Sequence, residues 1–329
     1  MDPVSHSLAA MGAAHLVGGQ TLGRRVLWVG LLAGFLPDID VLFRWGGDGL
    51  SHLYLHRHFT HSLLLMPVGA TLAAAPFLRG AAWQEHRGVL WLSALAAYAS
   101  HLFLDLLTSY GTLVYWPFSS QRVAWDILAI VDLPFTLLLL GLLLTSVFSP
   151  SRPAVGVALL LVALWIGFGI VQRERGLALQ AALAARRGHG ERYGRVIPTL
   201  GNPFVWRSIY RAGDRLYADA IRLPLWGTGQ IEPGESLPLV VPPTLAADLP
   251  APERAQVERF AWFADGFLAW APHDPQILCD MRYSRTPGAF QPLWGIRLAK
   301  GESPRLVRFG LRSSPAAGSA PGTTDPGPG

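Results

Sequence analysis

"HRHFTHSLLLM", residues 56–66, sets three histidines, an arginine, a threonine and a serine at the doorstep of an oily segment. Working outward from it, the chain carries long runs almost free of charge: 26–36 (VLWVGLLAGFL), 62–78, 89–100, 127–148 and 154–171. Apolar runs of about 18 or more residues read as membrane spans, because a bilayer core takes about 20 residues of helix to cross. Segments 127–148 and 154–171 satisfy that rule, whereas the shorter runs fit either spans or buried helices. So many such runs within the first 172 residues exceed what a soluble core needs, which favours a membrane. Composition points the same way. The 329 residues are 51% hydrophobic and only 15% charged, with a mean hydropathy of +0.31. The expectation is a multi-pass all-α membrane helical bundle over 1–172, with helices near 6–22, 26–36, 62–79, 89–109, 126–148 and 154–172.

Beyond residue 172 the pattern changes. FVWRSIY (204–210), RLYADAIRL (215–223), FLAWAP (267–272), ILCDMRYS (277–284), LWGIRLA (293–299) and RLVRFGLR (305–312) have strand-like composition, and PERAQVERFAWFAD (252–265) has helical spacing. A small soluble α+β or mostly β domain over 173–312 is expected, followed by a disordered Ser/Gly/Pro tail at 313–329. The single cysteine, Cys279, excludes a disulfide framework and a thiolate metal site within one chain. The opening MDPVSH has no basic n-region, so no removable signal peptide is expected. A net charge of +5 without aromatic–basic interleaving gives no sign of nucleic-acid binding. Nothing in the sequence fixes an oligomeric state.

If successive helices reverse direction, the polar residues collect at one end of the bundle. His6 opens the first helix, Asp38 and Asp40 (LPDID) end the second, HRHFTHS precedes the third, and His101 and Asp105 (SHLFLD) end the fourth. Asp126 opens the next. Imidazole and carboxylate without thiolate is the ligand set of zinc, manganese or iron in hydrolytic sites. His101 and Asp105 are four apart, so on a helix they share a face and can grip one ion. Asp38 and Asp40 flank one residue and can bridge two ions. Each motif also has a plainer reading: PDID as a turn and cap, HRHFTHS as a cationic patch against lipid phosphates, Thr60 and Ser62 as caps of the third helix. The proposed ligand pool is His6, Asp38, Asp40, His61, His101 and Asp105, with zinc the first choice of divalent metal. His56 would move protons, and Arg57, with its planar fork, would hold a substrate anion. Asp126 is a candidate ligand or a support for the ligands from behind, and Asp132 a candidate to orient a histidine.

The ordered set of motifs resembles the YdjM-like family of membrane-bound metal-dependent hydrolases. The carrying residues are an N-terminal His on a small-residue helix, LPDID, HR-x-F-T-H-S, and SHLFLDLLTSYGTLVYWPF, over about residues 1–140. The family pattern falls on His6, Asp38, Asp40, His56, Arg57, Thr60, His61, Ser62, His101, Asp105, Thr108 and Gly111. His58 stands where members commonly have a small residue, so no role is carried onto it. The resemblance implies a bacterial inner-membrane protein, distantly like the zinc-dependent phospholipase C and nuclease P1 fold.

The functional expectation is hydrolysis of a phosphoester or lipid-like ester by metal-activated water at the bilayer. Two other classes stay open. One is a metal-binding transport or sensing protein without turnover; the other is a membrane anchor whose soluble domain does the work. Arginines at 173, 175, 186, 187, 192 and 195 flank the last span, which by the positive-inside rule places the polar mouth and the C-terminal domain in the cytoplasm.

Overall fold

The computed structural model describes residues 1–42, 50–241, 249–299 and 304–309. The expected tail at 313–329 and the end of the expected strand at 305–312 lie outside the described residues. The first half contains helices α1 (Pro3–Leu22), α2 (Val26–Phe35), α3 (Ser51–Leu55), α4 (Met66–Ala74), α5 (Ala81–Glu85), α6 (Arg87–Leu107), α7 (Leu133–Phe148) and α8 (Arg152–Arg186). α1 begins where Asp2 accepts hydrogen bonds from the Val4 and Ser5 amides and Pro3 supplies a preset φ. It sits at the centre, against α2, α6 and α7.

Its inward face is made of small residues, including Ala9, Ala10, Gly12, Ala14 and Gly18. Gly30 and Gly34 of α2 meet it so closely that a Cβ would lie 2.7 Å from the Ala10 carbonyl oxygen and 2.6 Å from the Ala10 Cβ, respectively. Such close approach supplies dispersion contacts where lipid offers no hydrophobic contrast.

Among the described residues two helices are long and apolar enough to cross a bilayer, α6 and α8. The pair Leu53–His61 and Met66–Arg79, bent by 80°, adds a third if counted as one span. The apolar half of α8 is almost bare, with Val157, Leu160, Leu161, Leu164 and Val171 all exposed. A band of aliphatic side chains that long calls for lipid as its solvent.

The expected span at 127–148 is not a single helix. α7 starts only at Leu133, where Asp132 accepts from the Phe135 amide at 3.0 Å and a proline occupies the first turn. Its 16 residues extend about 24 Å, short of a hydrocarbon core of about 30 Å. Ile127 and Leu128 are apolar because they are buried against Leu104, Leu107 and Phe135. Asp132 caps this helix and receives Trp165 Nε1 at 3.3 Å, and it touches no histidine. The expected helix at 62–79 is likewise divided into turns at 62–65, α4, and a 3₁₀ segment Ala75–Arg79 with a proline in its first turn.

The second half contains two antiparallel sheets. The first joins β1 (Tyr193–Thr199), β2 (Asn202–Ala212), β3 (Arg215–Arg222) and β4 (Gln230–Glu232), with β5 (Ser236–Pro238) also paired to β3. The second runs β6 (Leu268–Ala271), β7 (Asp274–Asp280), β8 (Trp294–Arg297) and β9 (Arg305–Arg308). Helix α9 (Ala251–Phe263) precedes it.

Strand alternation gives each sheet two apolar faces. Val196, Trp206, Ile221 and Leu223 of the first sheet region meet Leu177 and Leu179 of α8. Ile197, Ile209, Leu216 and Ala218 meet Ala269, Ile277 and Cys279 of the second sheet. Leu268, Leu278 and Ile296 meet Val257, Phe260 and Phe263 of α9, along with Leu53 and Tyr54 of α3. The layers are therefore helix, sheet, sheet, helix, and the outer two tie the domain to the bundle. α8 runs straight through the hydropathy boundary at residue 172, so its last turns belong to the β domain's core.

Candidate metal centre

Four side chains from three places in the chain converge. Asp38 lies on the 3₁₀ segment Pro37–Leu42 after α2, His61 on the 3₁₀ turn Phe59–His61, and His101 and Asp105 one turn apart on α6. A ligand atom from each lies within 4.8 Å of all the others. His61 Nε2 is 3.2 Å from His101 Nε2, 3.1 Å from Asp105 Oδ2 and 3.5 Å from Asp38 Oδ1. His101 Nε2 is 3.6 Å from Asp105 Oδ2 and 3.5 Å from Asp38 Oδ1.

Hydrogen bonds behind these atoms fix the proton positions. His101 Nδ1 lies 2.7 Å from the Gly34 carbonyl, which only accepts, so Nδ1 carries the hydrogen. Thr60 Oγ1 donates to Asp40 Oδ2 at 2.8 Å, leaving its lone pairs to receive His61 Nδ1 at 3.0 Å. With both rings in this Nδ1–H form, each aims an Nε2 lone pair at the same point as the two carboxylate oxygens. Asp105 Oδ2 is buried and accepts no hydrogen bond. Four lone pairs in that arrangement repel one another, and a cation at their centre, or a proton on His61 Nε2, relieves the repulsion. A tetrahedral ion with ligand bonds of about 2.0–2.2 Å requires ligand-to-ligand edges of about 3.3–3.6 Å. Three of the five edges seen here, at 3.5–3.6 Å, fall in that range, and the two at 3.1 and 3.2 Å lie just below it. Asp38, Asp40 and His56 form a second group able to hold an ion, sharing Asp38 with the first.

Asp105 is bound at its other oxygen. Oδ1 lies 2.7 Å from the Met1 amino nitrogen, 3.0 Å from His6 Nε2 and 2.9 Å from Arg57 Nη2. His6 thus reaches the back of Asp105 and stacks on the His101 ring at 3.7 Å, and it does not join the four converging atoms. Asp40 is fully buried and surrounded by donors: the Arg57 amide and Thr60 Oγ1 at 2.8 Å, His56 Nδ1 at 2.9 Å and His61 Nδ1 at 3.3 Å. Burial pushes its carboxyl up, but the bonds from His56 and His61 outweigh that and hold it below the usual carboxylate range.

Arg57 is turned inward. Its guanidinium donates to Thr108 Oγ1 at 2.9 Å, pairs with Asp105 and lies over the Tyr110 ring at 5.0 Å. Its backbone sits at φ 62°, in the left-handed region, which is where its amide meets Asp40. The expected open fork for a substrate anion is thus committed to internal partners. His56 and Asp38 are the exposed members of the cluster, at 25% and 27%, so the mouth opens on their side. Ser62 donates to the Trp116 carbonyl and receives the Leu64 amide, fixing the turn into α4. Asp126 lies outside the cluster, in a two-pronged pair with Arg195 of the β domain at 2.6 and 2.9 Å. Gly34, Thr108 and Tyr110 are the partners the spacing of charged residues alone did not show. The first acts through its carbonyl, and the others follow Asp105 directly in SHLFLDLLTSYG.

Fold and site together define a helical membrane protein with a histidine–aspartate cluster able to hold a metal ion. The family described as YdjM inner membrane protein matches residues 1–176, and this chain belongs to it. The inner membrane protein YbcI of Escherichia coli (strain K12) is 30% identical over 140 residues, 41% of this chain and 78% of that protein. The uncharacterized protein YfhP of Bacillus subtilis (strain 168) is 30% identical over 151 residues, 41% of this chain and 42% of its own length. No solved structure matches the chain.

Proposed function

We propose that the chain is a multi-pass inner-membrane hydrolase that uses a divalent metal, zinc first, on a phosphoester or lipid-like ester. The observation that carries the reading is the convergence of one ligand atom each from Asp38, His61, His101 and Asp105 within 4.8 Å of one another. When bound, such an ion supplies Lewis acidity toward water and toward an ester oxygen. Asp38, the exposed ligand, faces the entrance. His56, anchored through Nδ1 by Asp40, is placed to take and return a proton there. Asp40 orients His61, the Gly34 carbonyl orients His101, and His6 and Arg57 orient Asp105, so three of the ligands are fixed before any ion arrives. The bilayer is the immediate partner, and the mouth and β domain lie on the cytoplasmic side by the arginine bias after α8.

The test is elemental analysis of the full chain purified without chelator, wild type against His101→Ala. At least one divalent ion per chain is expected in the wild type and a marked loss in the variant; a metal-free wild type sinks the proposal. A screen on phosphodiesters and phospholipids then separates turnover from storage. A second reading is a metal-binding membrane protein without turnover. It is favoured by the count of four protein ligands, which matches closed structural zinc sites better than open catalytic ones. Stoichiometric metal with no hydrolysis on that screen supports it over the first.

A further inference from the structure

We propose that the cavity between the 110–126 loop and the β domain binds a phosphate group, at a site separate from the metal centre. The cavity has a volume of about 550 Å³. Its wall carries four guanidinium groups, Arg122, Arg173, Arg195 and Arg282, against two carboxylates, Asp126 and Asp265. Three of the four are neutralised at close range. Arg195 holds Asp126, Arg282 holds Asp280 through two bonds of 3.0 and 2.8 Å, and Arg173 meets Glu174.

Arg122 has no carboxylate partner among the described residues. Its Nη2 donates to the carbonyls of Tyr110 and Gly111 at 3.0 and 2.9 Å. Nε and Nη1 are buried with no partner at all. Aromatic rings hold the group in place, with Tyr110 at 4.9 Å and Phe263 at 4.7 Å from the guanidinium carbon. Gly111, at φ 92°, lets it approach so closely that a Cβ there would sit 3.0 Å from Arg122 Nε. Burial pulls the Arg122 pKa down to about 10, so the group keeps its charge at neutral pH.

A half-buried, charged, rigidly stacked guanidinium with undelivered N–H groups, at the wall of a cavity where it has no carboxylate of its own, is a receptor for an oxyanion. The volume exceeds what a bare phosphate fills, so the ligand is a phosphate carried on an organic body. That body is either a soluble phosphoester or an anionic lipid headgroup. Tyr110 separates this cavity from the metal centre: Arg57 lies over the same ring at 5.0 Å. The two sites are neighbours, but the anion site needs neither the metal nor hydrolysis.

The experiment uses the full chain in phosphatidylcholine nanodiscs. Inorganic phosphate is titrated calorimetrically into wild type, Arg122→Gln, Asp265→Asn and Asp38→Asn. In parallel, thermal stability is followed as phosphatidic acid replaces part of the phosphatidylcholine. Saturable binding is expected, at least tenfold weaker in Arg122→Gln and unchanged in Asp38→Asn, so loss of the metal centre leaves this result standing. Asp265→Asn removes a wall carboxylate and is expected to tighten binding severalfold. Asp265 sits at φ 54°, which asparagine tolerates, so this variant reads out even if Arg122→Gln folds poorly. Stabilisation by phosphatidic acid, lost in Arg122→Gln, with phosphate inert, identifies the lipid headgroup as the source. The proposal is overturned if neither probe gives a saturable effect, or if both Arg122→Gln and Asp265→Asn bind as the wild type does.

Discussion

If the cluster holds a divalent ion, the thermal stability of the helical half should rise with the logarithm of free ion concentration above the dissociation constant. The converging atoms set the size of the effect. Two Nε2 lone pairs 3.2 Å apart face two carboxylate oxygens in a site where His61, His101 and Asp105 are wholly buried. An ion held by the native arrangement, which the unfolded chain cannot hold in the same way, would add its binding directly to stability. At a free zinc level of 100 times the dissociation constant the gain is about 2.7 kcal/mol. For a domain of roughly this size, each kcal/mol shifts the midpoint by about 2–4 °C, so zinc should raise it by about 5–11 °C over a chelated sample. The assay is a thermal unfolding scan in detergent, with chelator and with stepped zinc, on wild type and His101→Ala. The wild type should show a concentration-dependent rise, and the variant a flat response. A wild-type midpoint indifferent to zinc would refute the reasoning, because a site that forms only in the folded chain must stabilise that fold when an ion binds it.

Other consequences follow from single contacts. Arg195→Met leaves Asp126 buried without its partner and should destabilise by about 3–5 kcal/mol, read by denaturant or thermal unfolding. Gly34→Val places a methyl-bearing carbon against Ala10 and displaces the carbonyl that holds His101. A loss of about 1–3 kcal/mol together with lower metal content is expected. Asp132→Ala removes the cap of α7 and should cost about 1 kcal/mol. Burial pushes the Cys279 thiol up to about 12, so at pH 8 roughly one molecule in ten thousand is thiolate. Alkylation should require denaturant, and rapid labelling of the native chain would contradict the burial.

The helical half was legible because charge in an apolar context is conspicuous. Histidines and aspartates at the ends of oily runs stand out, and reversing helices bring those ends together. What hydropathy could not separate was lipid from protein as the surroundings of an apolar residue. Ile127 and Leu128 read as part of a span, yet they lie inside the bundle, and the Asp132–Pro134 start of α7 was hidden inside the run. Strands at 204–210, 215–223 and 277–284 were visible from composition. β1, rich in glycine, proline and arginine, and the three-residue β4 and β5 carry too little pattern to find alone. Within the site, residue type showed which groups bind metals but not which oxygen each neighbour takes. His6 and Arg57 occupy one side of Asp105 and leave the other side bare, a division set only by packing. Nothing in the sequence distinguishes Arg122; its lack of a carboxylate partner among the described residues appears only in three dimensions.

The continuity of α8 has a mechanical consequence. Its 35 residues form a rod of about 52 Å, bare and oily at one end and built into a sheet core at the other. The β domain is therefore mounted on a stiff strut rather than hung from a flexible tether. Inserting a single residue near position 172 would turn everything beyond it by about 100° and lift it by about 1.5 Å. The Arg195–Asp126 clasp would then miss its mark, so height and rotation above the bilayer are set by the register of one helix.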